Sequence, residues 1–261
     1  MELGLAEKVV VITGGSDGIG KACALKFLQE GCKVAICARN KEKLAAAAKE
    51  CSQLGFSIIA ASVDVVNGRD VENFAATVAA EYGRIDVWIN NAGFYPQKLV
   101  MDMEENEWDE VMDTNLKSIF IGAKTAAKYM KKQKSGVILN AASIAAFFPS
   151  VGSGAYATSK AAVLCFTKVV AGELAPWNIR VASYVPGLTE TEMTKQVIQQ
   201  NRAKLTEQIP LNRVGTADEI AEAVVFLASD AARYITGTHI EVSGGKLCVQ
   251  NSAAAWKQAD L

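Results

Sequence analysis

The chain has 261 residues and nearly balanced charge, 27 Lys and Arg against 28 Asp and Glu, for a formal net charge of −1. Half of the residues are hydrophobic, enough for a substantial core, and the lack of a basic block removes nucleic acid and anionic membrane surfaces from the expected partners. No apolar run approaches the roughly 18 residues of a membrane span, and the opening MELGLAEKVVVITGG lacks a basic leader, apolar core and cleavage site, so a cytoplasmic location is expected.

The first element is KVVVI (8–12), a short β-branched run that predicts a strand. TGGSDGIG follows and leads into the helical pattern GKACALKFLQEG (20–31), so Gly14, Gly18 and Gly20 stand between a first strand and a first helix. Glycine there permits tight turns and close backbone approach, and a helix N-terminus offers free N–H groups to a pyrophosphate. The stretch also matches most of a P-loop through Gly15, Gly20 and Lys21. Ala22, however, stands where Ser or Thr must hold Mg²⁺, which argues against an NTPase.

The alternation continues along the chain. Strand-like runs KVAIC (33–37), SIIAAS (57–62), DVWI (86–89), GVILNAA (136–142), IRVASYV (179–185) and THIEV (238–242) are separated by helical patterns at 41–55, 70–83, 107–132, 155–174 and 217–230. Near-continuous apolar strands between helices indicate an α/β protein with a parallel sheet covered on both faces. No linker, repeat or low-complexity segment divides the chain, so one domain is expected. In such a sheet ligands bind beyond the carboxyl ends of the strands, here TGGSDGIG, CARN, VDV, NNAG, AAS and VPG.

Other chemistries find no support. The six cysteines form no C-x-x-C pair and lie in apolar or helical stretches, as scattered buried thiols do. His239, the only histidine, sits in a strand-like run and reads as structural; no metal site is expected. No G-x-S-x-G is present for a serine hydrolase. Tyr156 and Lys160 in GAYATSK share one helical face four residues apart, which by itself describes an ordinary surface pair.

Seven motifs in register change that reading. TGGSDGIG (13–20), NNAG (90–93), DTNLKSIF (113–120), AAS (141–143), YATSK (156–160), VPGLTET (185–191) and YITGTHIEVSGG (234–245) occur in the order and spacing of the short-chain dehydrogenase/reductases, which the chain resembles from about residue 5 to residue 245. The resemblance implies a single Rossmann-like, doubly wound domain with a seven-stranded parallel sheet over residues 1–245, and a C-terminal extension over 246–261. It implies Tyr156 as general acid/base. Lys160 would stabilise the phenolate and bind the nicotinamide ribose, Ser143 would bond the substrate oxygen, and Asn115 would hold a proton-relaying water. A free phenol near pKa 10 is a poor base, which is why a cation one turn away matters.

The resemblance also distributes the cofactor. Gly14, Ser16, Gly18, Ile19 and Gly20 would cradle the pyrophosphate, Asp64 would accept from the adenine amino group, and Asn91 with Gly93 would pass the adenosine ribose. Tyr156 and Lys160 would hold the nicotinamide ribose, and Pro186, Gly187 and Thr191 would meet the carboxamide. Where NAD users place an acid, this chain has Ala38, followed by Arg39 and Asn40. A guanidinium suits a 2′-phosphate, so NADP(H) is expected over NAD(H). Asp17 runs against this, because an acid in the glycine loop would repel that phosphate unless it turns outward.

Phe94, Tyr95, Phe147 and Val151, with Ser143 and Tyr156, suggest a pocket for an apolar or ring-bearing carbonyl compound, covered by residues 189–210. The 3-oxoacyl-carrier reductases resemble the chain closely, but Gln133 and Trp177 stand where they place arginines for an acidic carrier. A 3-oxoacyl thioester or a sugar or polyol remains an alternative substrate. The non-enzyme alternative, an NAD(P)-sensing scaffold, typically loses the Tyr or Lys that this chain keeps. A homotetramer is implied, with helices 107–133 and 155–175 pairing between subunits. The extension should dock through a short helix at SAAAWK, capped by Ser252, with Trp256 packed near a substrate pocket.

Overall fold

The computed structural model describes residues 3–259. Seven strands, β1 (Val9–Thr13), β2 (Lys33–Ala38), β3 (Ile58–Ser62), β4 (Val87–Asn90), β5 (Gly136–Ala141), β6 (Ile179–Pro186) and β7 (His239–Val242), form one parallel sheet in the order β3-β2-β1-β4-β5-β6-β7. The strand alternation splits the core in two. Val10 and Ile12 of β1 face a cluster with helices α1 (Gly18–Gln29), α2 (Lys41–Gln53) and α8 (Ala217–Ala228). Val9 and Val11 face the opposite cluster, with α3 (Gly68–Tyr82), α5 (Ser118–Gln133) and α6 (Gly154–Leu174). Successive side chains on a strand point to opposite faces, so β-branched runs with no polar alternation need helices on both sides. The strand order reverses between β1 and β4, and there the carboxyl ends splay into a crevice.

A buried polar chain crosses the sheet beneath that crevice. Trp88 Nε1 donates to Asn90 Oδ1 at 2.8 Å, Asn90 Nδ2 to Asn140 Oδ1 at 2.9 Å, and Asn140 Nδ2 to Thr167 Oγ1 at 3.0 Å. Thr167 then shares a 2.7 Å bond with Ser183. Each group is satisfied, so the network ties β4, β5, α6 and β6 together without the cost of an orphaned dipole. Gly122 of α5 abuts it; a Cβ there would collide with Asn90 Oδ1.

Three elements differ from the sequence reading. The single helix expected at 107–132 is divided into α4 (Glu105–Met112), a π turn at Asp113–Lys117, and α5. The covering segment contains a helix, α7 (Glu192–Thr206), opened by a Thr191–Thr194 capping box and interrupted at Asn201, where φ −136° and ψ 19° leave the helical range. Its polar sequence hid it; only Ile198 is buried. Of the cysteines expected to be buried, Cys165 and Cys248 are exposed, one on the outer face of α6 and one in the extension.

Candidate active site

The carboxyl ends of β1, β4, β5 and β6 border a cleft of about 370 Å³. Gly14, Gly18 and Ile19 line one end, Asn91 and Gly93 the middle, and Ser143, Tyr156, Lys160, Pro186 and Gly187 the far side, with Thr191 across the opening. Gly14 and Gly18 have φ of +66° and +50°, backbone that a side chain would strain. A Cβ on Gly18 would stand 3.2 Å from the Thr191 methyl, so the gap between loop and α7 exists because that position is bare. Gly20 does a different job: a Cβ there would strike the Gly14 carbonyl and the Asn91 amide, so it lets α1 close on the sheet. Asn91 rivets the loop, donating to Gly14 O at 3.1 Å and accepting from the Tyr184 hydroxyl at 3.0 Å.

The four residues that the resemblance implies as catalytic lie close together. Lys160 is 3% exposed, and its ammonium donates to the Ala141 carbonyl at 2.7 Å, at the last residue of β5. It lies 5.7 Å from the Tyr156 ring centroid. Burial brings the Lys160 pKa down to about 8. Burial pushes the Tyr156 phenol up from its ordinary value, the Ser143 hydroxyl pulls it down, and Tyr95 adds a smaller upward push. Ser143 closes β5 and turns the chain, its Oγ accepting from Ala145 N at 3.1 Å.

Asn115 is fully buried inside the π turn. Its Oδ1 accepts from Phe94 N at 2.8 Å and its Nδ2 donates to Phe94 O at 2.7 Å. The same Oδ1 lies 3.2 Å from where a Gly93 Cβ would be, on the side that Lys160 Nζ also faces. The extra residue of the π turn thus swings an amide onto the loop after β4, a common use of such turns at functional sites. Both side-chain polar atoms serve the Phe94 backbone, so Asn115 first of all positions that loop.

Other expected residues lie outside the cleft lining. Ser16 is half-buried in the loop, and Asp64 accepts from Val66 N at 3.3 Å in the turn after β3. Arg39 is exposed at the end of β2, and among the described residues its guanidinium has no hydrogen-bond or ion-pair partner. Asn40 caps α2, its Oδ1 accepting from Lys43 N at 2.7 Å. Asp17, by contrast, belongs to the cleft lining. It caps α1 by accepting from Gly18 N at 2.7 Å, and it takes Lys43 Nζ at 2.6 Å. Burial works to raise its pKa, but Lys43 and the Gly18 N–H outweigh that and hold it below the ordinary value.

On the substrate side, Tyr95 packs on Tyr156 with ring centroids 4.7 Å apart, and Phe94 is held by Asn115. Phe147 and Val151 do not join them. The short turn at 144–146 sends Ile144 into the small cluster with Val163 and Val185, which throws Phe147 onto His239 of β7 at 5.0 Å. Val151 is 84% exposed on a loop tied to the one after β4 by Lys98 N donating to Gly152 O at 2.9 Å. Residues that local pattern did not single out are Lys43, Thr189, Met193 and Thr194, all in the cleft lining. Of these, Thr194 could have been found as the reciprocal member of the Thr191 capping box.

The extension docks. Ser252 Oγ donates to Glu207 O at 2.9 Å, Trp256 Nε1 to Pro210 O at 2.9 Å, and Lys246 Nζ to Gln208 Oε1 at 2.6 Å. A short helix, α9 (Ala253–Gln258), forms as expected, although the Ser252 hydroxyl bonds to Glu207 rather than capping it. The three bonds grip the chain just beyond α7, whose other end lines the cleft.

Glycine-loop backbone, bare Gly18, buried cation and phenol together fit a nicotinamide dinucleotide laid from α1 to Lys160. Among the described residues no group of three or more His, Cys, Asp and Glu is placed to hold a metal, and no helix is long and apolar enough to cross a membrane. The model of the short chain dehydrogenase family matches residues 8–202. The 3-oxoacyl-acyl-carrier-protein reductase FabG of Thermotoga maritima is 39% identical over 241 residues, 92% of this chain and 98% of that protein. The protein of the same name from Staphylococcus epidermidis is 39% identical over 239 residues, 91% of this chain and 98% of that one. The solved structure of a short-chain type dehydrogenase/reductase from Mycobacterium marinum superposes with a TM-score of 0.90 at 35% identity, covering 95% of this chain and 98% of that one.

Proposed function

The chain belongs to the short-chain dehydrogenase family, oxidoreductases of alcohol and carbonyl groups, and from that premise we propose that it interconverts a ketone and a secondary alcohol on an apolar or ring-bearing small molecule, using NADP(H) in preference to NAD(H). The observation that carries the reading is the convergence of Ser143, Tyr156 and the buried Lys160 ammonium on one cleft wall. A bound nicotinamide supplies or accepts the hydride. Tyr156 Oη gives the proton to the carbonyl oxygen, and Ser143 Oγ orients that oxygen. The phenolate left behind is stabilised by Lys160, which with a pKa of about 8 is mostly charged at neutral pH. In the alcohol direction the same cation makes Tyr156 a usable base. Asn115 holds the Phe94–Tyr95 loop against the acid, and the relay of protons to Lys160 runs beside it.

Unpartnered Arg39 supports the NADP(H) preference, and in the free protein Lys43 offsets the charge of Asp17 that runs against it. The rings of Tyr95 and Tyr156 support an apolar or ring-bearing substrate. Exposed Phe120 on α5 and Val169 on α6 support pairing of these helices in a homotetramer, and a cytoplasmic location goes with that reading. A 3-oxoacyl thioester is the second reading, favoured by the two relatives of that name. Gln133, at the position of a carrier-binding arginine, is spent on the Ile85 backbone, yet Lys131 places a cation 4.0 Å over Trp177.

Absorbance at 340 nm with a panel of ring ketones, sugars and 3-oxoacyl thioesters, with NADPH and with NADH, tests these readings. Turnover of a ring ketone with NADPH, lost in Tyr156→Phe, is the expected result. Turnover undiminished in Tyr156→Phe refutes the mechanism.

A further inference from the structure

The ion pair between Asp17 and Lys43 is not used by the chemistry above, yet both residues line the cleft. We propose that it is an anion-exchange latch for the cofactor's 2′-phosphate: Asp17 holds the Lys43 ammonium in the free protein, and a 2′-phosphate takes the ammonium from it. The proposal rests on the dinucleotide reading of this cleft.

Asp17 already occupies an anion's place. One oxygen accepts from Gly18 N at the start of α1, where the helix dipole favours negative charge, and the other takes Lys43 Nζ. The Lys43 root is fixed, because Asn40 at the end of β2 binds its backbone N–H at 2.7 Å. Only the flexible four-carbon stem need move. The pair is also cheap to break, with 51% and 38% of the two side chains exposed to screening solvent. The neighbouring cation Lys21 is engaged with Glu50 at 2.9 Å, and Glu192 at the cleft edge pairs with Lys195 at 3.2 Å. Lys21 also lies outside the cleft lining, so among the described residues Lys43 is the lysine next to the glycine loop that an anion in the cleft can meet. A ribose 2′-hydroxyl offers no charge to compete with a carboxylate, so NADH leaves the latch closed. An acid in the loop then lowers affinity for NADP(H) without forbidding it.

The test is dinucleotide binding to the free enzyme by isothermal titration, with NADPH, NADH and the fragment 2′,5′-ADP, followed by crystal structures of the NADPH and NADH complexes. Lys43→Met should weaken NADPH and 2′,5′-ADP by about ten-fold, the worth of one charge-assisted contact, and leave NADH within about two-fold. Asp17→Asn, which keeps a capping oxygen, should tighten both 2′-phosphate ligands several-fold and leave NADH unchanged. The Lys43 ammonium should contact the 2′-phosphate in one complex and Asp17 in the other. Equal weakening of NADH and NADPH in Lys43→Met, or an ammonium still on Asp17 in the NADPH complex, overturns the latch. A wild-type protein that binds neither dinucleotide overturns the functional reading, and the latch with it.

Discussion

Replacing Lys160 by Met should stabilise the protein at neutral pH while destroying its chemistry. The ammonium is buried, and among the described residues its one hydrogen-bond partner is the Ala141 carbonyl. Its pKa falls from 10.5 to about 8 on folding. At about 1.4 kcal/mol per pKa unit, keeping the charge in the folded state at pH 7 costs about 3 kcal/mol. Lys160→Met removes that cost and forfeits one hydrogen bond, worth about 1 kcal/mol. The net gain is about 2 kcal/mol, or a Tm rise of roughly 4–8 °C for a chain of this size. The sign depends on pH in a defined way. Between pH 8 and 10.5 the unfolded lysine keeps a proton that the folded one has lost, so wild-type stability rises with pH in that window. The penalty is complete below the folded pKa and gone above the unfolded one. The advantage of Lys160→Met should therefore fade to nearly nothing by pH 10. Thermal unfolding followed by circular dichroism at pH 7 and pH 10, without cofactor, reads both. A variant less stable than wild type at pH 7, or an advantage that persists undiminished at pH 10, refutes the account.

Further outcomes follow from the same geometry. Asn115→Ala strands the Phe94 N–H and carbonyl, so it should cost about 1–3 kcal/mol and lower kcat together with Tm; an unchanged Tm would show that the π turn holds the loop without the amide. Arg39→Ala should weaken NADPH about ten-fold and NADH little; equal effects in a binding titration would remove Arg39 from 2′-phosphate recognition. Trp256→Ala, or truncation after Lys246, loosens the grip on residues 207–210 and should raise KM with kcat nearly preserved; steady-state kinetics showing KM unmoved would make the extension a passive strap.

The parallel sheet was legible because its strands are uninterrupted apolar runs, and burial on both faces is the only arrangement that suits them. Strand positions in the sequence match β1 to β7 to within a residue or so. Tyr156, Lys160 and Ser143 were legible as residue types on one face and at one strand end. Asn115 was legible as part of the DTNLKSIF motif, but its partner Phe94 lies 21 positions away, and no local pattern names it. The helix α7 was not legible as one because a surface helix with a single buried residue lacks an apolar stripe.

What the sequence by itself determined is therefore the layered fold, the edge of the sheet where ligands are expected, and the placement of Tyr156 and Lys160 on one helical face, since each depends on local periodicity or short motifs. Tertiary structure decided the rest. Phe147 was drawn to His239 and away from Tyr95 and Tyr156 because the turn after Ser143 seats Ile144 against Val163 and Val185. Asp17 gained a counter-cation because folding brought Lys43 to it from 26 residues along the chain. Lys160 acquired its lowered pKa only by being enclosed. Local pattern carries propensity and periodicity, whereas charge pairing, desolvation and the direction of a loop depend on which distant segments fold against it.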